Sequence, residues 1–341
     1  MLLKKLCDIN SLTGDEGAVR DFIKEEIKDY VDEIKTDYVG NLIAIKKGKP
    51  GFPKVIIAGH MDEIGLMINS IDEAGFLKFL PVGGVDPRIL VSKSVIIGDK
   101  KIPGVIGAKA IHLQTPEERE IPLTMKQLYI DIGAKNKADA EKYVKKGDFV
   151  AFDSEYVEFG DGFAKAKAFD DRLGCAGLIE ILKETYDVTI IAAFTVQEEI
   201  GLRGATVVAY ATEPDFGIAL DSAIASDVVV KDDDIECSEL GKGPVVSLFD
   251  SYTLYDRKLA DRTIKLAQEN NIPVQARPSK GGLDAGAIQL SRAGVPCIAL
   301  TVPTRYVHSG ASVINLSDYD NFIKLNKIFL KNIKEGEFIN E

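Results

Sequence analysis

The sequence predicts an α/β fold with a mixed, largely parallel sheet between helices and a small β-barrel-like domain inserted into it. Apolar runs rich in β-branched residues alternate with helical patterns, which is typical of strands buried on both faces of a sheet. This alternation stops after residue 65 and resumes after residue 160. The stretch between holds short strands separated by Gly, Pro and Asp turns, without crossover helices, as in a small barrel or sandwich. We therefore assign residues 1–65 and 161–341 to one discontinuous domain and residues 66–160 to an insert.

Length and charge narrow the classes of protein. A chain of 341 residues is long for a single core, which favours a main domain plus a second one. The net charge of -11 argues against a nucleic-acid or anionic-membrane partner and is compatible with cation binding. The start, MLLKKL, lacks the features of a signal peptide or membrane span, so we expect a cytoplasmic protein. The scattered cysteines are expected to be buried reduced thiols. They are Cys7, Cys175, Cys237 and Cys297.

The first part of the main domain is predicted to contain two helices, a hairpin and a buried strand. Thr13 and Glu16 have the spacing of a capping box, in which Thr13 caps the following helix. The alternation over Val31 to Lys46, with a turn at Asn41, predicts the hairpin. The other segments are a helix over Leu2 to Asn10, the capped helix to about Tyr30, and a strand over Lys54 to Ala58.

The insert is predicted to contain six short strands and one helix. The strands are Leu66 to Ile71, Phe76 to Leu80, Ser94 to Ile97, Val105 to Gly107, Leu128 to Ile132 and Asp148 to Phe152, and the helix is Lys137 to Lys145. Many short strands leave edges that need to be covered, which favours self-association through this domain.

After the insert, an amphipathic helix is predicted from Phe169 to about Thr185. The apolar run that begins at Val188 is a buried strand that ends in two adjacent carboxylates, Glu198 and Glu199. The remaining strands are Phe216 to Leu220, Val245 to Phe249 and Val295 to Val302, with an extended segment over Val274 to Arg277. The remaining helices are one from Gly204, one over Tyr255 to Asn270, and a final one started by Ser317 and Asp320. A glycine loop over Lys280 to Asp284 opens a further helix that ends at about Arg292.

Four of the buried strands end in side chains that can bind a metal. The side chains are His60 with Asp62, Glu198 with Glu199, Asp221, and His308, while Asp170 stands where a helix begins. Parallel strands of one alternating α/β region would bring these ends to one edge of one sheet, where ligands bind. Histidine and carboxylate ligands without cysteine suit zinc, cobalt or manganese in a reactive site.

Each of these signals has a plainer interpretation when it stands alone. An isolated pair of glutamates is usually a solvated turn, and a lone histidine is usually a satisfied core or surface group. The latter interpretation is kept for His112, which lies in the insert. For His60 and His308 metal binding is favoured, because each follows an otherwise apolar run. Asp62 has the spacing of a carboxylate that orients the His60 imidazole.

Seven stretches of the chain resemble the M42 family of metallo-aminopeptidases, the tetrahedral and glutamyl-aminopeptidase group, some of whose members carry endoglucanase names. The stretches are AGHMDEIG (58–65), YIDIGA (129–134), AKAFDDRLGC (166–175), TVQEEIGLRGA (195–205), IALDSA (218–223), SKGGLDAGA (279–287) and PTRYVHS (303–309). They follow the family order over nearly the whole chain. The resemblance implies a zinc-peptidase-like catalytic domain over 1–65 and 161–341 and an oligomerisation role for the insert, 66–160.

The resemblance also implies a role for each site residue. One metal would be held by His60 and Asp221 and the other by Glu199 and His308, with Asp170 bridging both. Glu198 would be the general base, and Asp62 would orient His60. Relatives often have Thr where Leu283 stands and Glu where Ser312 stands, two departures that concern the lining of the pocket.

The implied reaction is removal of the N-terminal residue of a peptide by a metal-bridging water, with two divalent ions per subunit. Zinc or cobalt suits the donors best, with manganese as an alternative. The implied partners are peptides with a free N-terminus and further copies of the chain, as dimers that gather into a dodecamer, with neither nucleic acid nor membrane.

Two other classes of function stay open. An endoglucanase-type glycoside hydrolase also uses paired carboxylates, but it leaves both histidines unexplained, and the chain has no Trp for sugar platforms. The other is a non-catalytic peptide-binding scaffold of the same fold.

Overall fold

A computed structural model describes residues 1–228 and 238–338. It contains an eleven-stranded mixed sheet with helices on both faces and, beside it, a closed six-stranded barrel. The predicted fold class is therefore confirmed.

The strands and helices alternate through the main domain and give way to short strands in the insert. In chain order the strands are β1 (Glu33–Thr36), β2 (Leu42–Lys46), β3 (Lys54–His60), β4 (Gly65–Ile71), β5 (Leu77–Val82), β6 (Ser94–Ile97), β7 (Ile102–Gly107), β8 (Tyr129–Asp131), β9 (Phe149–Phe152), β10 (Val157–Phe159), β11 (Phe163–Ala166), β12 (Thr189–Thr195), β13 (Phe216–Ile224), β14 (Val245–Ser247), β15 (Gln275–Arg277), β16 (Cys297–Arg305) and β17 (Ser312–Asn315). The helices are α1 (Leu2–Cys7), α2 (Gly17–Ile27), α3 (Pro116–Glu120), α4 (Lys137–Ala140), α5 (Phe169–Leu182), α6 (Arg203–Thr212), α7 (Arg257–Glu269), α8 (Ala285–Gln289) and α9 (Leu316–Lys331).

Four parallel strands form the centre of the large sheet. The order across the sheet is β1-β2-β12-β3-β13-β16-β17-β11-β10, with β14 beside β16 and β15 beside β14. Strands β12, β3, β13 and β16 run parallel to their neighbours within this group, and antiparallel strands flank them on both sides. Their carboxyl ends therefore lie at one edge.

The central strands are buried on both faces, as their apolar sequences predict. In β3, Val55 and Ile57 pack into the core beneath α1, α2, α5, α7 and α9. Ile56 and Ala58, which point to the opposite face, pack against α6 and α8. Two layers of helices thus hold the strand ends in place.

Two local predictions about helices are wrong. Helix α2 begins at Gly17 without a side-chain cap, and the Thr13 hydroxyl instead donates a hydrogen bond to Asp62 Oδ2 over 2.8 Å. The helix predicted as amphipathic, α5, is buried on nearly all sides because other helices pack over its outer face. Tertiary contacts, rather than local sequence, decide both cases.

The insert is a closed barrel with the strand order β4-β5-β8-β7-β6-β9. Its own apolar core includes Leu66, Phe79, Val95, Ile130 and Val150. The predicted helix of the insert is confined to a single turn, α4. Strand β10 pairs with β11 in the large sheet.

A buried ion network joins the segment that enters the barrel to parts of the main domain that are distant in the sequence. The Lys167 ammonium donates to both oxygens of Glu63 at 2.7 and 2.8 Å. The Arg172 guanidinium donates to the Ser11 carbonyl and lies 3.4 Å from Glu63. All three charged side chains are at most 3% exposed. Removing one partner alone would be strongly destabilising, because it would leave an uncompensated buried charge.

Cys7, Cys175 and Cys297 are free and buried, as predicted, and burial raises the pKa of the Cys7 thiol to about 12. Cys237 lies outside the described residues.

Within residues 1–228 and 238–338, none of the helices combines the length and apolar character needed to cross a membrane.

Candidate metal centre

The central strands bring the predicted ligands to one edge of the sheet. His60 is the last residue of β3, and Asp221 lies within the neighbouring strand β13. Glu198 and Glu199 follow β12, and His308 follows β16, in the loops just beyond this edge. The parallel arrangement thus brings together side chains that are far apart in the sequence.

Asp170 joins two groups of donor atoms. His60, Asp170 and Asp221 form the first triad, and Asp170, Glu199 and His308 form the second, with donor atoms within 4.8 Å of one another in each. His60 Nε2 lies 3.1 Å from Asp170 Oδ1. His308 Nε2 lies 3.3 Å from Asp170 Oδ2 and 3.2 Å from Glu199 Oε2. The two oxygens of Asp170 therefore face one triad each.

Glu198 belongs to neither triad. Its Oε2 lies 3.9 Å from His60 Nε2, and its side chain is 11% exposed. The neighbouring residues Glu198 and Glu199 thus occupy different positions although they are adjacent in the chain. Gln197 before them has a positive φ of 56°, which turns the backbone sharply at this point.

Backbone carbonyls fix the orientation of both imidazoles. His60 Nδ1 lies 2.9 Å from the Asp62 carbonyl, and His308 Nδ1 lies 3.0 Å from the Gly84 carbonyl. A carbonyl oxygen only accepts, so each Nδ1 donates a proton to it. The Nε2 atoms are then the ones available to a metal.

The carboxylate of Asp62 holds the loop that carries the two glutamates. It accepts the backbone N–H groups of Glu198 and Glu199 at 3.0 and 3.3 Å, besides the Thr13 hydroxyl. Its Oδ1 lies 3.5 Å from His60 Nδ1, farther than the backbone carbonyl of the same residue. Asp62 therefore links His60 to the glutamate loop. Although burial opposes it, the nearby His60 and then the Glu198 and Thr13 hydrogen bonds lower the pKa of Asp62.

Sequence reasoning missed two buried carboxylates behind the triads. Asp171 accepts the backbone N–H groups of His60 and Gly174, which ties the end of β3 to the start of α5. Asp284 accepts the Thr195 hydroxyl over 2.5 Å. Both lie in stretches already singled out, at 166–175 and 279–287, but only their burial distinguishes them from surface acids.

The cluster carries more acids than its two imidazoles can balance. Burial, together with nearby carboxylates, raises the pKa values of Glu198 and Asp221 well above the ordinary range and that of Glu199 to about 8. Although burial opposes the charged imidazoles, hydrogen bonds with Asp170 raise the pKa of His60 and raise that of His308 to about 9. The pKa values of carboxyl groups and imidazoles are thus raised together, which indicates an excess of buried negative charge that bound cations would balance.

The side chains of this cluster fit divalent cations. Glu199 Oε1 is buried and, within the described part of the chain, has no hydrogen-bond partner. An unpaired buried carboxylate oxygen is costly unless a cation binds it. Two imidazole nitrogens with carboxylate oxygens, and no thiolate, form a donor set for zinc, cobalt or manganese.

A cavity of about 820 Å³ opens onto the triads. Its lining includes the apolar side chains of Ile224 and Leu283 and the ring of Tyr252. His112, by contrast, is exposed in the insert and belongs to neither triad. The cavity is large enough for the end of a peptide chain.

Comparison with known families gives one match that covers most of the chain. Residues 40–325 match the family described as M42 glutamyl aminopeptidase. The lysyl aminopeptidase of Pyrococcus furiosus is 34% identical, with 99% of this chain and 98% of the relative covered. The glutamyl aminopeptidase of Lactococcus lactis subsp. cremoris is 31% identical, with 93% and 91% covered.

Several solved structures are similar to this chain over nearly its whole length. The TET aminopeptidase of Thaumarchaeota archaeon SCGC AB-539-E09 superposes with a TM-score of 0.93 at 34% identity, covering 97% of this chain and 95% of that one. The TET1 peptidase of Pyrococcus horikoshii, described as assembling into a tetrahedron or a large octahedral shell, gives 0.86 at 35% identity, with 97% and 98% covered. A Thermotoga maritima structure named endoglucanase gives 0.81 at 36% identity, with 97% of each chain covered.

Metal binding is predicted to release protons and to weaken as pH falls. Glu199 and His308 have pKa values raised to about 8 and about 9, so both are largely protonated at pH 7 without a cation. A bound cation requires both groups to be deprotonated, so affinity should fall steadily from pH 9 to pH 6. Calorimetric titration of the chelated protein with zinc, in buffers of different ionisation enthalpy, measures the protons released. A binding enthalpy that is independent of the buffer at pH 7 would contradict the prediction.

Proposed function

This chain belongs to the M42 family of aminopeptidases, a family of peptide hydrolases, and we propose that it acts through a pair of divalent metal ions held at the two triads. His60 and Asp221 would hold one ion and Glu199 and His308 the other, with Asp170 shared. The observation that carries the proposal is the position of Asp170, whose two oxygens face one triad each. Zinc or cobalt suits the donors best, with manganese as an alternative.

We assign the proton transfer to Glu198. The bound cations would supply an activated water and polarise the scissile carbonyl. Glu198 lies beside the first triad without belonging to it, which leaves its carboxylate free to take a proton from the attacking water and return it to the leaving amine. Asp62 would act as a positioning residue, because it holds the Glu198 backbone and lies next to His60.

The proposed substrates are peptides with a free N-terminus, cleaved after the first residue. The carboxylates around the triads would attract the positively charged α-amine of the substrate. Binding of the α-amine there would determine which peptide bond is cleaved. The wall formed by Ile224, Tyr252 and Leu283 would receive the first side chain. The cytoplasm is the compartment that we propose for this reaction.

Neither of the two alternatives is favoured. A glycosidase would have no use for two imidazoles directed at a shared carboxylate, and the chain has no Trp to form a sugar platform. A non-catalytic scaffold would not need to retain an unpaired buried carboxylate beside histidines.

The substrate class is tested with a panel of aminoacyl chromogenic substrates. We expect hydrolysis that disappears after chelation and returns with zinc, cobalt or manganese. Cellulose oligomers, assayed with the same preparations, serve as the comparison. Peptidase activity that is absent with every metal, together with cleavage of the oligomers, would overturn the proposal.

The roles of the adjacent glutamates are tested by two matched variants. Glu198→Gln removes the base but keeps its shape, so turnover should fall by about a hundredfold or more while both metals stay bound. Glu199→Gln weakens the second site, so one metal should be lost first and excess metal should partly restore activity. Metal stoichiometry and rates are measured on both proteins. The assignments are reversed if the Glu198 variant loses a metal and the Glu199 variant keeps both.

We also propose that the insert, 66–160, mediates self-association into dimers and a dodecamer. The segment between β7 and β8 carries three exposed apolar side chains, Ile111, Leu113 and Ile121, at 60%, 72% and 64% exposure. Apolar side chains grouped in this way are typical of protein–protein contacts. The assembly described for the Pyrococcus horikoshii relative supports this proposal.

Charged substitutions in this segment should therefore reduce the particle mass. The triple variant Ile111→Glu, Leu113→Glu and Ile121→Glu is expected to give a smaller species by light scattering at micromolar concentration. Leu290→Glu alters an apolar side chain of similar exposure, 79%, outside the insert, and should leave the mass unchanged. A wild-type protein of monomeric mass would contradict the proposal, as would a triple variant of unchanged mass.

A further inference from the structure

One turn of the inserted barrel touches the second triad. Gly83 and Gly84 follow β5, and Gly84 lines the cavity beside Glu199 and His308. The insert contributes no histidine or carboxylate to either triad. The Gly83–Gly84 turn nevertheless contacts two of the three donors of the second triad.

Gly84 sets the orientation of His308. Its carbonyl accepts the His308 Nδ1 proton over 3.0 Å, which directs Nε2 towards Asp170 and Glu199. His308 needs this support, because it is 39% exposed whereas His60 is 2% exposed. A Cβ at Gly84 would lie 2.9 Å from His308 Nδ1, so this close approach requires glycine.

Gly83 limits the position of Glu199 in the same way. A Cβ at Gly83 would lie 3.2 Å from the Glu199 Cβ and 2.8 Å from Ile64 Cγ2. Gly83 also has a φ of +80°, a conformation that other residues rarely adopt. The turn therefore packs against both donors with no space for side chains of its own.

The barrel holds this turn in place from both sides. Before it, Val82 pairs with Gly65 at the start of β4. After it, Val85 and Ile89 pack against the barrel core, and Asp86 caps the short 3-10 helix by accepting the Arg88 N–H. The turn is thus anchored to the barrel rather than to the sheet that carries His308.

We propose that the Gly83–Gly84 turn is a positioning element of the second metal site, so that docking of the barrel onto the main domain and metal binding at that site are coupled. The proposal rests on the two-metal function proposed above. Groups that orient a ligand from behind typically contribute about tenfold to a hundredfold to metal affinity. Coupling is reciprocal, so the metal should in turn stabilise barrel docking.

Deleting the whole insert would not test this idea, because deletion removes assembly and the turn together. Gly84→Ala is the direct variant, since Gly84 has an ordinary φ and only the clash with His308 opposes an added Cβ. Gly133→Ala is the matched control in the same barrel. Gly133 has a φ of +73° with nothing within 4 Å of an added Cβ, so this control carries backbone strain without any contact with the site.

Zinc titration of the chelated full-length proteins, followed by calorimetry and metal analysis, is the first measurement. Wild type and Gly133→Ala should bind two ions per subunit, and Gly84→Ala should bind one normally and the other about tenfold to a hundredfold more weakly. Unchanged affinity at both sites in Gly84→Ala would overturn the inference while leaving the two-metal function intact. A wild-type protein that binds fewer than two ions would instead refute the proposed function.

A second measurement needs no variant, in case Gly84→Ala does not fold. The chain has three histidines, so magic-angle-spinning NMR of ¹⁵N-histidine-labelled, zinc-loaded protein resolves each ring, and His112→Gln assigns the exposed one. We expect His60 and His308 both to carry a hydrogen-bonded Nδ1 proton and to bind zinc through Nε2. A second zinc-binding ring that lacks the Nδ1 proton, or whose proton exchanges as rapidly as that of His112, would refute the role of Gly84.

Discussion

The burial of surplus negative charge around Asp170 is the constraint on which the rest of the site depends. The four parallel strands deliver Asp221, Glu198 and Glu199 to one edge, where burial raises their pKa values. Two imidazoles cannot balance this charge, and Glu199 Oε1 has no hydrogen-bond partner among the residues that the structure describes. Bound cations would balance this charge, so we expect metal binding to stabilise the fold.

The loops that present the donors depend on unusual backbone conformations. Ala168, Gln197 and His308 all have positive φ values, of 57°, 56° and 59°. Each such residue typically costs about 1–3 kcal/mol and persists only where its surroundings enforce it. The Asp62 carboxylate enforces the glutamate loop, and Asp171 ties the end of β3 to α5. The hydrogen bonds of Asp62 and Asp171 thus offset the backbone strain of the loops that present the donors.

The barrel is connected to the main domain by more than its two chain crossings. The buried network of Glu63, Lys167 and Arg172 holds the segment that enters the barrel against the main domain, and the turn at Gly84 contacts the second triad. Assembly through the barrel would therefore act on a domain that also supports a proposed metal ligand. A subunit interface on the barrel, as proposed, would be linked to the proposed metal centre through the turn at Gly84.

The sequence by itself determined the α/β pattern, the presence of a barrel-like insert, and the residue types at the strand ends, because hydrophobic periodicity and polar strand termini are local signals. The sequence wrongly predicted that Thr13 caps α2 and that α5 is amphipathic. Only the tertiary structure decided that Thr13 binds Asp62, that Asp171 and Asp284 are buried, and that Gly84 orients His308. Gly84 and His308 are 224 positions apart, and Thr13 and Asp62 are 49 apart. Such contacts form only when the folded sheet and barrel bring distant segments together, and no local pattern in the sequence encodes that distance.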